Sequence, residues 1–283
     1  MTTATETTPE LRPVKGPTAL GGGRRRFFEL LMLVSVTEFR QAYFGTVLGY
    51  FWSLLRPLMM FAILLVVFTQ VFEVGGDVEN YPVFLLLNIV VFGFFQESTT
   101  GAVQSIVNQE SIVRKTQFPR LVIPLAVVVT ALLNLAVNLI AVFAFILAYG
   151  VDPQWTWLLL PVILGLLFVF TTAVSMGISA LFVRYRDVAI IWSVVATGLF
   201  YGTPVLYPLE VVPEGFRQVV EANPLMPIFQ QARAWIIDPQ AAGAADAVGG
   251  VANLLPAVGI FIAVCALGVW IFRREAPRVA EDL

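Results

Sequence analysis

Six long stretches of the chain are almost free of charged side chains. An α-helix of about 20 apolar residues crosses the roughly 30 Å hydrocarbon core of a bilayer and satisfies its own backbone polar groups. With 58% hydrophobic and 13% charged residues, the chain has too little polar surface for a water-soluble protein. The sequence therefore predicts an all-α membrane protein with six transmembrane helices. They run approximately over residues 52–74, 82–103, 121–148, 157–182, 188–207 and 254–272.

Basic and acidic residues are divided between the joins that separate these stretches. Lysine and arginine accumulate on the cytoplasmic side of membrane proteins, and 15 of the 17 basic residues fall at or before the first stretch, in the second and fourth joins, or after the last stretch. The remaining joins carry mostly acids, with Arg217 and Arg233 as their basic residues. The pattern predicts a multi-pass protein of the cytoplasmic (inner) membrane with both termini inside.

The N-terminal region is polar up to a run of three arginines at 24–26, which precedes the apolar segment FFELLMLVSV. This order resembles a signal peptide, but Glu29 interrupts the apolar run, Glu38 and Arg40 follow it closely, and no small-residue cleavage pattern appears. We therefore predict a disordered cytoplasmic tail over residues 1–26 and an amphipathic helix at the membrane interface over residues 27–50.

Two absences exclude ordinary catalysis. The chain has no histidine and one cysteine, Cys265, so it lacks the commonest metal ligand and general base and forms no intrachain disulfide. A Walker A loop needs two glycines around the phosphates before its Lys-Ser/Thr pair. Lys115-Thr116 has Gln109 and Arg114 at the glycine positions. We predict no catalytic residue, no metal site and no cofactor in this chain.

The segment SIVNQESIVRKTQFPRLVIP, residues 105–124, places charges between two apolar stretches in the first predicted cytoplasmic loop. Its apolar and polar residues suit a short helix, which Pro119 would end. The residues alone leave two interpretations open. One is a solvated loop that follows the positive-inside rule, and the other is a helix that binds a partner.

Four segments in order resemble one family, the ABC-2 type permeases that export polysaccharides such as O-antigen, teichoic acid and capsule. They are FGTVLGYFWSLLRPLMM at 44–60, SIVRK-x-x-FPR-x-x-IP at 111–124, VRYRDVAIIW at 183–192, and TPVLYPLEVVP at 203–213 with Asn-Pro at 223–224. Each segment is short, but together they extend over most of the chain.

The resemblance implies an all-helical subunit with the interface helix, six membrane helices over residues 51–272 and a cytoplasmic tail over 273–283. It also implies short re-entrant helices between the fifth and sixth membrane helices. Prolines support a broken backbone over 208–235, which is tolerated at membrane depth when it is buried in protein or lines a cavity. A loop on the membrane surface is the alternative. These prolines are Pro208, Pro213, Pro224 and Pro227.

The same resemblance implies the partners and the cargo. Two copies of the chain form the pore as a homodimer, and two separate P-loop ATPase subunits bind ATP and Mg and hydrolyse the ATP. The cargo is a lipid-linked polysaccharide of the O-antigen, galactan or teichoic-acid type. Membrane lipid surrounds the permease, and no nucleic-acid partner is expected.

In resembling exporters the first cytoplasmic loop is a coupling helix that docks in a groove of the ATPase, and the second loop makes a smaller contact. An internal salt bridge is the alternative for the charged residues of the second loop. The predicted ATPase-coupling residues are Gln109, Glu110, Ser111, Ile112, Val113, Arg114, Lys115, Phe118, Pro119, Arg184, Arg186 and Asp187.

Aromatic residues concentrate on the first and fifth membrane helices, which line the pore in resembling exporters. Flat aromatic walls could hold the apolar C–H faces of a sugar chain weakly at many points. Packing against other helices, or anchoring at the interface, is the alternative for each of them. The predicted channel-lining residues are Phe51, Phe61, Phe68, Phe72, Trp192, Phe200, Tyr201 and Tyr207.

Glu97 is an ionisable residue within the second predicted helix, where such a group faces protein or water rather than lipid. We predict an inner-vestibule or structural role, with Arg40 or Arg56 as the partner. Asn134 and Asn138 lie one helical turn apart and are typical of hydrogen bonds between membrane helices.

Three other functions remain open at this point. A drug or small-lipid exporter would share the ABC-2 architecture. A membrane glycosyltransferase would need a carboxylate pair and basic phosphate ligands, whereas the acids predicted outside are scattered. An ion-coupled secondary transporter would work without an ATPase.

Overall fold

The computed structural model describes residues 23–43, 49–71, 80–110 and 119–275, and within these ranges it holds helices and turns but no strand. The α-helices are α1 Gly23–Tyr43, α2 Gly49–Val66, α3 Tyr81–Asn108, α4 Val122–Ala148, α5 Leu160–Arg184, α6 Val188–Gly202, α7 Glu214–Glu221, α8 Met226–Ala232, α9 Ala244–Ala247 and α10 Val251–Glu275. Two π-helical turns, Val67–Val71 and Arg233–Ile237, follow α2 and α8, and two 3-10 turns, Trp155–Leu159 and Leu209–Val211, precede α5 and follow α6.

Five helical segments are long and apolar enough to cross a membrane: Phe51–Val71, Tyr81–Asn108, Val122–Ala148, Trp155–Arg184 and Val251–Glu275. The prediction of an all-helical, multi-pass membrane protein is therefore confirmed. The fifth predicted stretch, 188–207, corresponds to α6, an apolar helix of 15 residues that is not among these five. At 1.5 Å per residue it extends about 22 Å, less than the roughly 30 Å hydrocarbon core.

The helix α6 ends at Gly202, although the apolar stretch continues to residue 207. Thr203 is extended, with φ −103° and ψ 145°, because the residue before a proline is disfavoured in the helical region and Pro204 follows. The turn is attached to the N-terminal part of α3 by two hydrogen bonds. The Tyr81 hydroxyl donates to the Leu206 carbonyl oxygen at 2.8 Å, and Asn88 Nδ2 donates to the Pro204 carbonyl oxygen at 3.3 Å.

The helix α3 is the centre of the bundle and is buried on nearly all sides. Aromatic side chains connect it to its neighbours. Phe92 meets Phe200 of α6 with ring centroids 5.2 Å apart, and Phe95 meets Phe170 of α5 at 5.9 Å and Trp192 of α6 at 6.2 Å. Pairs of this geometry contribute about 0.5–1.5 kcal/mol beyond the area they bury. The position of α6 is thus set mainly by α3.

Glycine brings α5 and α10 into backbone contact. A Cβ atom on Gly268 of α10 would lie 2.1 Å from the Ala173 carbonyl oxygen of α5, and one on Gly177 would lie 3.1 Å from Cα of Gly268. Small residues let membrane helices approach closely, since packing rather than the hydrophobic effect drives their association in lipid. No larger side chain fits at Gly268 without separating the two helices.

The short helices between α6 and α10 are packed against the bundle. Met226 and Phe229 of α8 are fully buried, and Arg233 forms a bidentate ion pair with Glu210, at 2.9 and 3.1 Å. The Arg217 guanidinium bonds Glu221 at 2.8 Å. The two basic residues outside the predicted cytoplasmic set are therefore each paired with an acid, which offsets their positive charge.

The predicted interface helix over residues 27–50 corresponds to α1, which begins at Gly23 and ends at Tyr43, while residues 44–48 lie outside the described part of the chain. Leu31 is buried against Val122 and Ala126 of α4. Phe28 and Leu33 are exposed. One face of α1 thus contacts the bundle while apolar side chains remain on another, as expected of a helix at a membrane surface.

Candidate functional site

A partly open cavity of about 700 Å³ lies between α2, α3 and α4 and is reached by one residue of α6. Its lining combines apolar, aromatic and polar side chains within the membrane-spanning segments. The aromatic and polar lining residues are Trp52, Ser53, Arg56, Phe92, Phe94, Gln96, Glu97, Thr100, Asn134, Asn138 and Phe200.

Glu97 and Asn134 form the polar centre of this cavity. Asn134 Nδ2 donates to Glu97 Oε1 at 2.5 Å, which joins α3 to α4. Arg56 of α2 lines the same cavity and interacts electrostatically with the Glu97 carboxylate. An ionisable group in a membrane helix is stabilised by such partners. Of the two predicted partners of Glu97, Arg56 lies at the cavity, and Arg40 is not among its lining residues.

The sequence analysis missed the pairing of Glu97 with Asn134, although a signal was present. Glu97 lies 11 residues before the end of α3 at Asn108, and Asn134 lies 12 residues after the start of α4 at Val122. The helices α3 and α4 follow one another along the chain and run antiparallel, so the end of α3 lies beside the start of α4 and these residues lie at the same level. Asn138, one turn further along α4, also lines the cavity, and its Oδ1 atom is buried without a hydrogen-bond partner among the described residues.

The predicted channel-lining aromatics of α6 fall into two groups. Phe200 lines the cavity, where it also contacts Phe92, and Trp192 packs against Phe95. Tyr201 is exposed, and its carbonyl oxygen accepts a 2.8 Å hydrogen bond from the Tyr207 hydroxyl. The structure thus brings Phe200 to the cavity and places Tyr201 and Tyr207 outside it.

The predicted aromatics of the first membrane helix are also separated. Phe61 is buried, with its ring centroid 5.5 Å from that of Phe145 on α4. Phe68 is half-buried against the main core, and Phe51 is exposed. Phe72 lies outside the described residues. None of the three described side chains lines the cavity, whereas Trp52, which the prediction omitted, does.

The predicted coupling residues are described only at the ends of the loop. Gln109 and Glu110 follow α3, and Pro119 precedes α4. Six residues lie outside the described part: Ser111, Ile112, Val113, Arg114, Lys115 and Phe118. A buried cluster joins the helix ends that carry both predicted cytoplasmic loops. It consists of Ile106, Ile123, Met176, Ala180, Val183 and Phe272, from α3, α4, α5 and α10.

The second predicted cytoplasmic loop lies between α5 and α6. Arg184 at the end of α5 is 3.9 Å from the Glu275 carboxylate of α10. The Arg186 guanidinium lies 5.0 Å from the centre of the Phe182 ring. All three predicted residues of this loop, including Asp187, are exposed, so they remain accessible to a partner.

One polar contact at the membrane interface was not predicted. Gln109 Nε2 donates to Glu38 Oε1 of α1 at 2.9 Å. Burial raises the pKa of the Glu38 carboxyl, and its hydrogen bonds with Gln109 and Thr130 oppose that rise. The signal was the spacing of Glu38 from Leu31 and Ser35, which places all three on the face of α1 that packs on α4.

Long apolar helices around a partly polar cavity have the features of a membrane transport protein. The chain belongs to the ABC-2 type transporter family, whose model matches residues 29–237. The match contains every residue that lines the cavity. The resemblance drawn from four short segments is confirmed, and the chain is a membrane-spanning permease of this family.

Similar proteins share one description. The O-antigen export system permease protein RfbA of Klebsiella pneumoniae is 32% identical over 199 residues, which cover 70% of this chain and 76% of that protein. A second Klebsiella pneumoniae protein of that name is 32% identical over 200 residues, with the same two shares. RfbA of Myxococcus xanthus is 29% identical over 248 residues, 87% of this chain and 93% of its own length.

Proposed function

We propose that the chain is the permease subunit of an ATP-driven exporter that moves a lipid-linked polysaccharide outward across the cytoplasmic membrane. The observation that carries this function is the partly polar cavity among the membrane-spanning helices, which α2, α3 and α4 line and which Phe200 of α6 reaches. The relatives named for O-antigen export favour a polysaccharide of the O-antigen, galactan or teichoic-acid type over a drug or a small lipid.

A homodimer would convert this open cavity into an enclosed path. Both α2, which lines the cavity, and α6, which reaches it, expose large apolar side chains on one subunit. A second copy of the chain would cover them and supply the missing wall. On α2 these residues include Trp52, Met59 and Ile63, and on α6 they include Ile190, Val194 and Tyr201.

The cavity chemistry suits a sugar chain. Sugars present hydroxyl groups that both donate and accept hydrogen bonds, and Gln96, Glu97 and Asn138 offer amide and carboxylate groups of both kinds. Trp52 and Phe200 offer flat apolar surfaces for the C–H faces of the rings. Dispersed, weak contacts favour passage, because a processive path must release each sugar as readily as it binds it.

Energy would come from two P-loop ATPase subunits that bind ATP and Mg on the cytoplasmic side. The coupling segment at 109–119 and the exposed loop at 184–187 are the proposed contacts. Movement there reaches the bundle because the buried cluster around Ile106 and Phe272 joins α3, α4, α5 and α10. ATP binding would shift the dimer between sealed and conducting arrangements.

The proposed topology has six crossings, with both termini in the cytoplasm and α6 as the fifth crossing. Its 15 residues would be supplemented by re-entrant structure within residues 208–235. Burial of Met226 and Phe229 supports this arrangement, since irregular backbone is tolerated at membrane depth only when protein or a water-filled cavity surrounds it.

The test is deletion of the gene followed by complementation. We expect loss of surface polysaccharide in the deletion strain and its return with the wild-type chain. A complex purified through a tagged permease should contain two permeases and two ATPase subunits. Unchanged surface polysaccharide after deletion, or a monomeric permease in the active complex, would contradict the proposal.

A further inference from the structure

The helix α1 is attached to the bundle along one face by a row of contacts with α4. Leu31 is buried against Val122 and Ala126. The buried Ser35 hydroxyl donates to the Leu31 carbonyl oxygen at 2.8 Å and lies 3.3 Å from the Ala126 carbonyl oxygen. The Thr130 hydroxyl lies 3.2 Å from the Ser35 carbonyl oxygen. Hydroxyl contacts of this kind join helices at membrane depth, so α1 is expected to move with α4.

Glu38 continues this row and reaches a third helix. Its Oε1 atom accepts a 2.9 Å hydrogen bond from Nε2 of Gln109, the residue that follows α3. The Thr130 hydroxyl is a second partner of the carboxylate. Because this hydroxyl has one proton, it serves either Glu38 or the Ser35 carbonyl oxygen at a given moment. Gln109 is therefore the more constant partner.

Partial burial strengthens the dependence of Glu38 on these donors. Desolvation raises the pKa of the Glu38 carboxyl, and the hydrogen bonds with Gln109 and Thr130 oppose it. A carboxylate removed from water is stabilised by the donors that replace its hydration. The end of α3 is thus held by the Glu38 carboxylate, which has few hydrogen-bond donors other than Gln109.

We propose that Glu38 is a positioning residue for energy coupling, which holds the first residue of the cytoplasmic loop after α3 against the interface helix. This inference rests on the proposed function, in which that loop receives the movement of an ATPase subunit. Three helices meet at the contact, because α1 carries Glu38, α3 ends beside Gln109 and α4 supplies Thr130. A push on the loop therefore reaches α1 and α4 together. Without the contact, the end of α3 can turn alone.

The test compares export with ATP hydrolysis. One readout is the surface polysaccharide of a strain that lacks its own permease and carries the variant. The other is ATPase activity of the complex purified from the same cells. Glu38→Ala should lower export roughly tenfold, the change expected for one charge-assisted hydrogen bond, while hydrolysis continues. Thr37→Ala is the matched control, since the exposed Thr37 hydroxyl bonds only the Leu33 carbonyl oxygen of its own helix among the contacts described.

An exchange of partners separates positioning from a general loss of packing. Gln109→Ala alone should repeat the loss of export. Glu38→Gln combined with Gln109→Glu restores an amide and a carboxylate at the same contact, so it should restore most of the export. Thr130→Val keeps the contact between Glu38 and Gln109, and we expect a smaller loss from it.

Wild-type export by Glu38→Ala would overturn the proposal, as would failure of the exchange to restore export. A loss from Thr130→Val as large as that from Glu38→Ala would also overturn it, because docking of α1 on α4 would then be sufficient to explain both. Failure of the proposed function is distinguishable: the unmodified permease would recover no ATPase subunit.

Discussion

The neighbouring helices α2 and α3 differ sharply in how the subunit covers them. Within the most apolar 18 residues of each span, 78% of α3 is buried, compared with 6% of the span that contains α2. Yet α3 carries Asn88, Gln96 and Glu97, whereas the α2 span has Arg56 as its charged residue. In lipid, apolar side chains gain little by leaving the solvent, so polar groups and close packing decide which helix lies inside. The exposed α2 is therefore free for lipid or a second copy.

The largest expected effect is all-or-none and concerns the exposed helices. In a Cys265→Ala background, Val194→Cys on α6 should cross-link to itself in the membrane under mild oxidation, because the proposed second copy meets this face. Ile140→Cys on α4 is the matched control. The two side chains are similarly exposed, 69% and 72%, but Ile140 lies on α4, outside the faces of α2 and α6 that the proposed second copy covers. Gel electrophoresis measures the cross-linked dimer. Cross-linking at both positions, or at neither, would contradict the proposal that the second copy contacts the face of α6 that carries Val194.

The next largest effect concerns the buried helix α3. Phe95→Ala in α3 removes contacts with Phe92, Phe170 and Trp192, and truncation of a buried phenylalanine costs about 3–5 kcal/mol. Ile63→Ala on the exposed side of α2 should change stability by less than about 0.5 kcal/mol. Thermal unfolding in detergent measures both. Equal destabilisation would show that α2 also belongs to the packed interior.

A smaller effect concerns the polar centre between α3 and α4. Asn134→Leu removes the donor to Glu97 and should destabilise the subunit by about 1 kcal/mol, the net contribution of a hydrogen bond whose acceptor is exposed in the cavity. Thr100→Ala, at the same cavity, should be nearly neutral. If Asn134→Leu is as mild as its control, the Glu97 carboxylate depends on Arg56 instead, and unfolding of Arg56→Met would then show the larger loss.

The smallest effect is a pH dependence at the interface helix. Burial raises the pKa of Glu38 above 4.5, so ionisation is less favourable in the folded than in the unfolded protein. Its contribution to stability is present below pH 4.5 and is lost as pH rises through the folded-state pKa. Glu38→Gln does not ionise. The Tm of the wild type minus that of Glu38→Gln should therefore fall on the order of 1–2 °C between pH 4 and 8. A difference that rises with pH would contradict this assignment.

The sequence predicted where the helices lie along the chain better than which face each helix turns toward its neighbours. Runs of apolar residues identified five spans because length alone distinguishes a membrane helix. The end of α6 at Gly202 was missed, because Thr203 and Pro204 lie within an apolar run, although the proline was a signal. Contacts such as Glu97 with Asn134 depend on which face each helix turns inward, and helices that are apolar all round carry little periodicity to show it.

The same limit applies to the candidate site. Aromatic residues on the predicted pore helices could be counted, but the structure places Phe61 against Phe145 and brings Trp52 to the cavity instead. The coupling residues from Ser111 to Phe118 lie outside the described part and stay a prediction. Their role depends on a partner surface that a single chain does not contain.

The polar contacts of α3 also have a consequence for synthesis of the protein. The partner of Glu97 is encoded 37 residues later, and the partners of Asn88 and Tyr81 are encoded 116 and 125 residues later. At roughly 5–20 residues per second, the ribosome needs about 6–25 s to reach the last of them. During that interval α3 must remain beside the translocon or in lipid with unsatisfied polar groups. We expect nascent chains that end before residue 204 to be retained or degraded, since the turn after α6 completes the environment of a helix made long before it.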